Sequence, residues 1–271
     1  MNKRALLITL LLGLSTMSAY ALAEEIRKHD APAEQSVSEP AAGILWIEPD
    51  TGMEFVWVPT GCFQMGSETQ AREQPVHKVC VPGFWMGRYE VTQSQYQQVM
   101  GRNPSKFPGP NNPVDQATWY DAANFTEEMG YRTGTKVRLP SEAEWEYACR
   151  AGGAHDKFCG PGDLPNRMAW NEGNSGSKVT HPVGQLAANA WGLYDMSGNV
   201  LEWTQDCWND NYNGAPADGS PWKTGDCSYR AYRGGSHDDS TRELRAAYRH
   251  RGRMGGSGNS CQGFRVVRTQ P

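Results

Sequence analysis

The stretch Gly192–Asp206, Gly-Leu-Tyr-Asp-Met-Ser-Gly-Asn-Val-Leu-Glu-Trp-Thr-Gln-Asp, decides how the fold of this chain is interpreted. Asp195 and Glu202 stand seven positions apart, with Gly198 between them. Hard cations bind several oxygen ligands, and a kinked loop can add backbone carbonyls to two carboxylates. The same spacing is typical of a polar turn with an acid at each end, and on spacing alone the turn is the favoured interpretation.

Length and composition restrict the class of protein. A chain of 271 residues is long enough for one large domain or two small ones. Its 30 glycines and 17 prolines mark many turns, so long helices should be few, and its 10 tryptophans can bury a large apolar area. The formal net charge of -4 and the lack of a basic run in the sequence argue against a nucleic-acid-binding protein.

The N-terminus is typical of a signal peptide, predicted to cover residues 1–23. Two basic residues precede an apolar run at residues 5–14 that is too short to span a bilayer, and an Ala-Leu-Ala cleavage pattern ends at Ala23. We therefore expect a periplasmic or secreted protein with no membrane span after signal removal. Residues 24–43, rich in alanine, proline, glutamate and serine, predict a disordered leader.

Seven cysteines follow the predicted cleavage site. In an oxidising compartment they indicate disulfides, although spacing alone does not fix their connectivity. Three local pairs are plausible: Cys62 with Cys80, Cys149 with Cys159, and Cys207 with Cys227. Cys261 is then left over, and an unpaired thiol is more often a buried small residue than a reactive one.

Short strands and few helices are predicted after residue 44, within one α+β domain at residues 44–269. Helix starts are indicated by capping residues at Thr92, Thr118 and Ser141, with helix ends near Gly101 and Gly130 for the first two. Alternating or continuous apolar runs predict strands. These runs are Phe55–Val58, Cys62–Gly66, His77–Val81 and Phe84–Val91, followed by shorter pieces at 231–236, 245–249 and 263–268.

Six motifs in order resemble the formylglycine-generating enzyme, or sulfatase-modifying factor, family. They are Met65-Gly66-Ser67, Tyr89-Glu90-Val91-Thr92, Arg138–Glu146, Gly192–Trp203 with its Gly-Asn and Glu-Trp pairs, Arg233–Ser236, and Gly263-Phe264-Arg265. The resemblance implies a single compact domain, related to C-type-lectin-like folds, with little regular secondary structure.

The resemblance also implies a structural calcium ion in the opening stretch. Carried over to this sequence, its ligands are the side chains of Asp195 and Glu202 and the backbone carbonyls of Gly198 and Val200. Asp195 replaces an asparagine found in some relatives and adds an anionic oxygen, which suits calcium. The family's second calcium site is not expected, because Ala169 stands where a liganding asparagine would be.

The catalytic cysteines of the family have no counterpart here. The family's namesake enzymes oxidise a sulfatase cysteine to formylglycine with molecular oxygen, and they use two cysteines that bind copper(I). The matching positions hold Asp239 and Leu244, and no cysteine lies between Cys227 and Cys261. Copper(I) prefers soft thiolate ligands, so copper is not expected. The chain is in this respect closer to periplasmic pyoverdine-maturation-type relatives, which lack the pair.

Candidate catalytic residues are His237, Asp239 and His250. In a strand His237 and Asp239 would share one face, and His250 could approach them. The alternative, which we favour, is that His237 packs in place of an aromatic residue and the aspartates are solvated. The neighbouring arginines could line an anion-binding pocket or pair with acids, and pairing is the favoured interpretation for Arg242, Arg245, Arg249, Arg251 and Arg253.

Three functions follow from the sequence. The first is an exported oxidoreductase or maturation factor that acts on a peptide-like substrate. The second is a non-catalytic, calcium-stabilised module that binds a small molecule or a protein partner. The third and least favoured is formylglycine generation in a sulfatase. A polar, convergent pocket at residues 237–250 would support chemistry, whereas a closed apolar one would support binding.

Overall fold

The strands predicted in the first part of the domain are present in the computed structural model, which describes residues 39–153, 157–162 and 164–269. The predicted signal peptide and the predicted leader as far as residue 38 lie outside the described residues. The last part of that leader contacts the domain, since the Gly43 amide donates to the Trp57 carbonyl. The first five strands are β1 (Leu45–Ile47), β2 (Glu54–Val58), β3 (Gly61–Met65), β4 (His77–Val81) and β5 (Phe84–Gly87).

Three helices begin at the predicted capping residues. In each case the hydroxyl of Thr92, Thr118 or Ser141 accepts from the third helical amide, and the side chain of that third residue accepts from the cap amide. The helices are α1 (Gln93–Met100), α2 (Trp119–Thr133) and α3 (Glu142–Cys149).

The predicted end of α2 near Gly130 is wrong. The helix continues to Thr133 and is capped by Gly134 in the left-handed region, at φ +64°. Gly130 lies inside the helix, where a Cβ would stand 3.0 Å from the Thr135 carbonyl oxygen. The glycine therefore allows the following chain to pass close to the helix rather than ending it.

The strands form three sheets. A five-stranded antiparallel sheet has the order β1-β2-β5-β11-β6, and a four-stranded sheet has the order β10-β7-β8-β9 with only β10 and β7 parallel. A separate hairpin pairs β3 with β4. The remaining strands are β6 (Val137–Arg138), β7 (Leu201–Trp208), β8 (Asp226–Arg233), β9 (His250–Arg253), β10 (Gln262–Gly263) and β11 (Val267–Arg268).

Several predicted strands differ from those observed. The strand predicted at 84–91 ends at Gly87, and the strand predicted at 245–249 is a series of turns. The segment 245–249 joins no ladder because the side chains of Arg245 and Arg249 enter buried ion pairs. The long β7–β8 pair was not predicted at all.

The cysteine pairing was predicted correctly. Cys62–Cys80 links β3 to β4, Cys149–Cys159 links the end of α3 to the following loop, and Cys207–Cys227 links β7 to β8. Cys261 is the free cysteine. Each disulfide therefore fixes a local excursion of a chain that has little regular structure.

The core has two main parts, and the stretch Gly192–Asp206 contributes to both. Leu193 and Met196 pack in the cluster that contains Trp145 of α3. Leu201 and Trp203 pack in the cluster that contains Phe264. The domain at residues 39–269 is thus of the α+β class, with few helices and several small sheets. Within the described residues, no helix has the length and apolar character needed to cross a membrane.

Candidate functional site

The loop at residues 195–200 has an unusual backbone. Asp195, Gly198 and Asn199 all lie in the left-handed region, at φ +53°, +81° and +60°. A Cβ on Gly198 would stand 2.2 Å from the Trp170 carbonyl oxygen, so glycine is required there. The three left-handed residues kink the loop and bring Gly198 against the backbone of Trp170.

Three carboxylates are buried at this loop. Asp195, Glu202 and Glu90 are 3%, 0% and 1% exposed. Asp195 Oδ2 accepts from the Gly184 amide at 2.7 Å, whereas Asp195 Oδ1 is buried with no hydrogen-bond partner.

Glu90 was missed as a site residue, although it lies in one of the family motifs. Its carboxylate accepts from Asn199 Nδ2 at 2.7 Å and from the Val200 amide at 3.0 Å. The sequence signal that could have found it is an acid inside an otherwise apolar run, Tyr89-Glu90-Val91. Such an acid is buried only when it has specific partners.

One guanidinium faces these three acids. Arg265 donates from Nε and Nη2 to the two oxygens of Glu202, both at 2.6 Å. Trp145 Nε1 adds a hydrogen bond of 2.7 Å to Glu202 Oε2. Arg265 is fully buried, so this pair is shielded from solvent. It balances one negative charge and leaves the rest of the cluster uncompensated.

The pKa shifts reflect this imbalance. Burial raises the pKa of Asp195 to about 6, against the opposing effects of the Gly184 amide and Arg265. Burial also raises the pKa of Glu90 well above its usual range, and the charges of Asp195 and Glu202 act in the same direction. The protein alone therefore disfavours three ionised carboxylates at this place, and a bound cation would favour them.

The donor set fits calcium at Asp195 better than at Glu202. The unpartnered Asp195 Oδ1 can accept a cation, and outside the strand ladders no described backbone amide donates to the carbonyl of Gly198 or Val200. Glu202 already accepts three hydrogen bonds, which leaves about one of its four lone-pair positions. No group of three or more His, Cys, Asp or Glu side chains suited to a metal occurs among the described residues. The expected ligand set needs only two such side chains, with two carbonyls.

The three catalytic candidates are not joined into one site. His237 is buried, with Nε2 3.0 Å from the Ser260 carbonyl oxygen and its ring edge on Phe107, and burial lowers its pKa. Half-buried Asp239 accepts from Ser236 Oγ at 2.7 Å. No hydrogen bond joins the His237 ring to Asp239 within the described part of the chain.

His250 lies on β9, away from a direct contact with His237. Its ring packs on Tyr248 at 4.6 Å, and burial lowers its pKa, with Asp239 opposing this effect. Asp239 is thus an electrostatic neighbour of both histidines, but the side chains do not form a hydrogen-bonded acid–base set. His237 packs against the Phe107 ring, and the burial that lowers its pKa favours its neutral form.

The two positions that match the catalytic cysteines have different surroundings. Leu244 is fully buried in a small apolar cluster with Phe158, Met168 and Ala169. Asp239 is half-buried and polar. The free thiol of Cys261 lies near this segment, 3.9 Å from His237 Nε2, and burial raises its pKa, as do the charges of Asp239 and Asp238. It is a single thiol. A thiolate pair for copper(I) is therefore not available.

Comparison with known proteins identifies the domain. Residues 47–270 match the Sulfatase-modifying factor enzyme 1-like domain. The chain belongs to this family. It is similar to Chaperone protein LppX of Paenibacillus barcinonensis, at 30% identity over 80% of this chain and 90% of LppX.

Solved structures of the family have the same fold. PvdO from Pseudomonas aeruginosa superposes with a TM-score of 0.76 at 30% identity, over 85% of this chain and 100% of PvdO. Treponema denticola variable protein 1 superposes with a TM-score of 0.77 at 27% identity, over 84% of this chain and 99% of that protein. The predicted resemblance to the sulfatase-modifying factor family and to pyoverdine-type relatives is confirmed.

A buried ion-pair network lies beside the 237–245 segment of this family member, and the sequence did not predict it. Arg233 donates to Glu142 and Glu146 at 2.9 and 2.6 Å, and Arg249 holds both oxygens of Glu142 at 2.6 and 2.8 Å. Burial acts to raise the pKa of Glu142, but the charges and hydrogen bonds of Arg249 and Arg233 outweigh burial and lower it. The paired arginines are fully buried rather than near the surface, and removing one partner would leave an unbalanced buried charge.

Proposed function

We propose that this protein is an exported, non-catalytic member of the sulfatase-modifying factor family that binds a peptide-like partner and assists its maturation. The observation that carries the proposal is the burial of Leu244. Where the family's second copper-binding cysteine would stand, the chain has an apolar side chain in a closed contact with Phe158 and Met168. A leucine at this position can neither ligate copper(I) nor exchange electrons.

One relative supports a role in assisting another protein. LppX, which matches nearly along its full length, is named a chaperone protein. The fold is shared with PvdO over all of that chain. Export is supported by the predicted signal peptide and by three disulfides, which persist in oxidising compartments.

We further propose that calcium stabilises the domain through Asp195, with the carbonyls of Gly198 and Val200 and the remaining capacity of Glu202. The support is the unpartnered Asp195 Oδ1 and the excess of buried carboxylates over guanidinium. Bound calcium would supply positive charge and fix the kinked loop. In this role calcium does not contact the partner, and the chain's own residues form the binding surface.

Copper(I) binding and oxygen consumption test the proposal that the protein is not an oxidase. The purified mature protein is titrated with copper(I) against a chromogenic competitor, and oxygen consumption is measured with a cysteine-containing sulfatase peptide. We expect no stoichiometric copper(I) binding and no oxygen uptake above the protein-free control. Tight binding of one copper(I) with peptide-dependent oxygen uptake would refute the non-catalytic proposal.

Assistance to another protein is tested by refolding. A secreted enzyme is denatured, diluted in the presence of this protein, and followed by light scattering and recovered activity. We expect less aggregation and more recovered enzyme than with an unrelated disulfide-bonded protein of similar size. Equal yields with both additives would count against a chaperone-like role.

An oxidoreductase remains the second candidate, because Cys261 is a free thiol 3.9 Å from His237 Nε2. The substitution Cys261→Ser separates the two candidates. If the protein catalyses oxidation of a peptide-like substrate by molecular oxygen, which accepts the electrons, and needs this thiol to do so, the variant loses that activity. If the protein acts by binding, the variant keeps its effect on refolding.

A further inference from the structure

An open pocket lies on the side of the domain where the 237–245 segment meets β3 and the loop after α3. It has a volume of about 720 Å³, within the range of small-ligand and peptide side-chain sites. Its described lining residues come from three segments that are distant in sequence. They are Gly66, Ser67, Thr69, Arg150, Lys157, Thr241, Arg242, Arg245 and Ala247.

The lining of this pocket is cationic. Four of its described residues are arginine or lysine, three carry hydroxyl groups, and none is an acid. Glu243, next to Arg242, accepts a hydrogen bond from Ser240 Oγ and does not line the pocket. An anionic ligand would therefore meet positive charge and hydroxyl donors together.

Two of the four cationic side chains are held by buried carboxylates. Arg245 donates to both oxygens of Glu73, at 2.6 and 2.9 Å, and Arg150 Nε donates to Glu146 at 2.9 Å. These side chains are 6% and 9% exposed, so they form the floor of the pocket. Their positions are set before any ligand arrives, which lowers the entropy cost of binding.

The arginines of the pocket floor belong to a buried ion-pair network. Glu73, Glu142 and Glu146 are shared among Arg150, Arg233, Arg245 and Arg249. The buried carboxyl of Asp206 lies near Glu142 and Arg249 in the same region. This network holds Arg150 and Arg245 in place beneath the pocket.

The other two cations, Lys157 and Arg242, lie at the mouth. Both are exposed, and neither forms an ion pair with any residue in the described ranges. They belong to different segments, so they can contact two separate anionic groups. A ligand with several carboxylates satisfies this arrangement better than one small anion.

We propose that this pocket binds an acidic segment of a polypeptide, with glutamate or aspartate carboxylates at Lys157 and Arg242 and above Arg245. The inference rests on the proposed function, because it names the chemistry by which a peptide-like partner is recognised. Hydroxyl groups of Thr69 and Thr241 provide further donors for carboxylate or backbone oxygens, whereas the Ser67 hydroxyl already donates to Glu73.

The test uses a short fluorescein-labelled peptide of alternating glutamate and serine, with the matched glutamine–serine peptide as the neutral probe. Fluorescence anisotropy is measured with the full mature protein. The variant is Lys157→Gln/Arg242→Gln, and the control is Lys223→Gln/Arg253→Gln, which removes two exposed cations away from the pocket. Thermal unfolding confirms that both variants fold.

We expect the acidic peptide to bind and the neutral peptide to bind at least about tenfold more weakly. The Lys157/Arg242 variant should raise the Kd of the acidic peptide about tenfold or more, and the control variant by less than about twofold. Added salt should weaken binding, because the mouth is exposed. An unchanged Kd in the Lys157/Arg242 variant would overturn the proposal.

Inorganic phosphate is the competing probe. If phosphate displaces the acidic peptide at concentrations below those of a glutamate–serine competitor, the pocket is a small-anion site and the peptide assignment is wrong. The refolding assay is run in parallel. If the wild-type protein assists refolding but does not bind the acidic peptide, this inference alone is rejected. Peptide-dependent oxygen uptake would instead reject the proposed function.

Discussion

Replacing Asp195 with asparagine separates a calcium ligand from a polar turn residue. The substitution keeps an oxygen for the Gly184 amide, and asparagine tolerates the left-handed backbone at φ +53°. It removes one negative charge from a cluster in which Glu90 and Glu202 are also buried. Backbone strain and side-chain volume change little, so the measured effect reports on charge.

The size of the effect follows from the pKa of Asp195. Burial raises it from 3.8 to about 6, a difference of roughly 2 units or about 3 kcal/mol at most. Because the folded-state pKa is higher than the unfolded one, the calcium-free protein is stabilised at low pH. That stability is lost as the pH rises through about 6.

In a chelator at about pH 8, Asp195→Asn should therefore be more stable than the wild type, by up to about 3 kcal/mol or roughly 6–12 °C in Tm. At about pH 5 this difference should shrink, because the wild-type carboxyl takes up its proton. With calcium at about 100 times its Kd, the wild type gains about 2.7 kcal/mol, and the variant should lose most of that gain.

The assay is thermal unfolding followed by near-ultraviolet circular dichroism, in calcium and in chelator, at both pH values. At about pH 8, a stability advantage of the variant in chelator that shrinks by about 2–3 kcal/mol when calcium is added supports the calcium proposal. An equal fall in Tm in all four conditions would show that Asp195 is a structural turn residue, and the argument from its unpartnered oxygen would be wrong.

Three other substitutions test the remaining parts of the domain. Arg265→Met should cost about 3–5 kcal/mol in guanidinium unfolding, since Glu202 is left as an unbalanced buried charge, whereas exposed Arg253→Met should cost under about 1. Leu244→Ala should cost about 2–5 kcal/mol, against little change for Leu164→Ala, whose side chain is 55% exposed; equal costs would refute the closed apolar contact. Cys261→Ser should remove the one free thiol titrated in the unfolded, unreduced protein and change stability by under about 1 kcal/mol, and a larger loss would indicate a structural role.

Local signals in the sequence were sufficient for much of the fold. Capping boxes at Thr92 and Ser141 predicted the starts of two of the three helices, and the three disulfides are pairs that close short loops. Capping residues and cysteine pairs both act within about 20 residues, so they can be recognised from residue type and spacing. The family motifs predicted the class of fold and the importance of the loop that carries Asp195 and Glu202.

Long-range contacts could not be predicted from the chain. Glu90 meets Val200, and Arg249 meets Glu142, across more than a hundred positions, and nothing in the local pattern pairs them. The same limit explains the false strand at 245–249. Its alternation of arginine with apolar residues is typical of a strand, but the arginines point to acids on α3 and on the turn at Ala71–Glu73.

The buried arginines connect the fold to the proposed binding function. A domain with so little regular structure has few helices or sheets to hold a binding surface rigid, and ion pairs supply that rigidity here. Glu73 fixes Arg245, and this pair joins the turn at Ala71–Glu73 to the 245–249 segment. Glu146 fixes Arg150 at the end of α3, so both arginines of the pocket floor are ordered.

Such an arrangement has a consequence for variants of Glu73. Glu73→Gln would remove the counter-charge of Arg245 but leave the arginine in place. The pocket would then become more positive, while the domain would lose stability because a buried charge is left unbalanced. Acidic-peptide affinity and unfolding free energy should therefore change in opposite directions, which a loss of folding alone cannot produce. Both quantities are measured on one preparation of the variant. If peptide affinity and unfolding free energy fall together, Arg245 serves the fold and takes no part in binding.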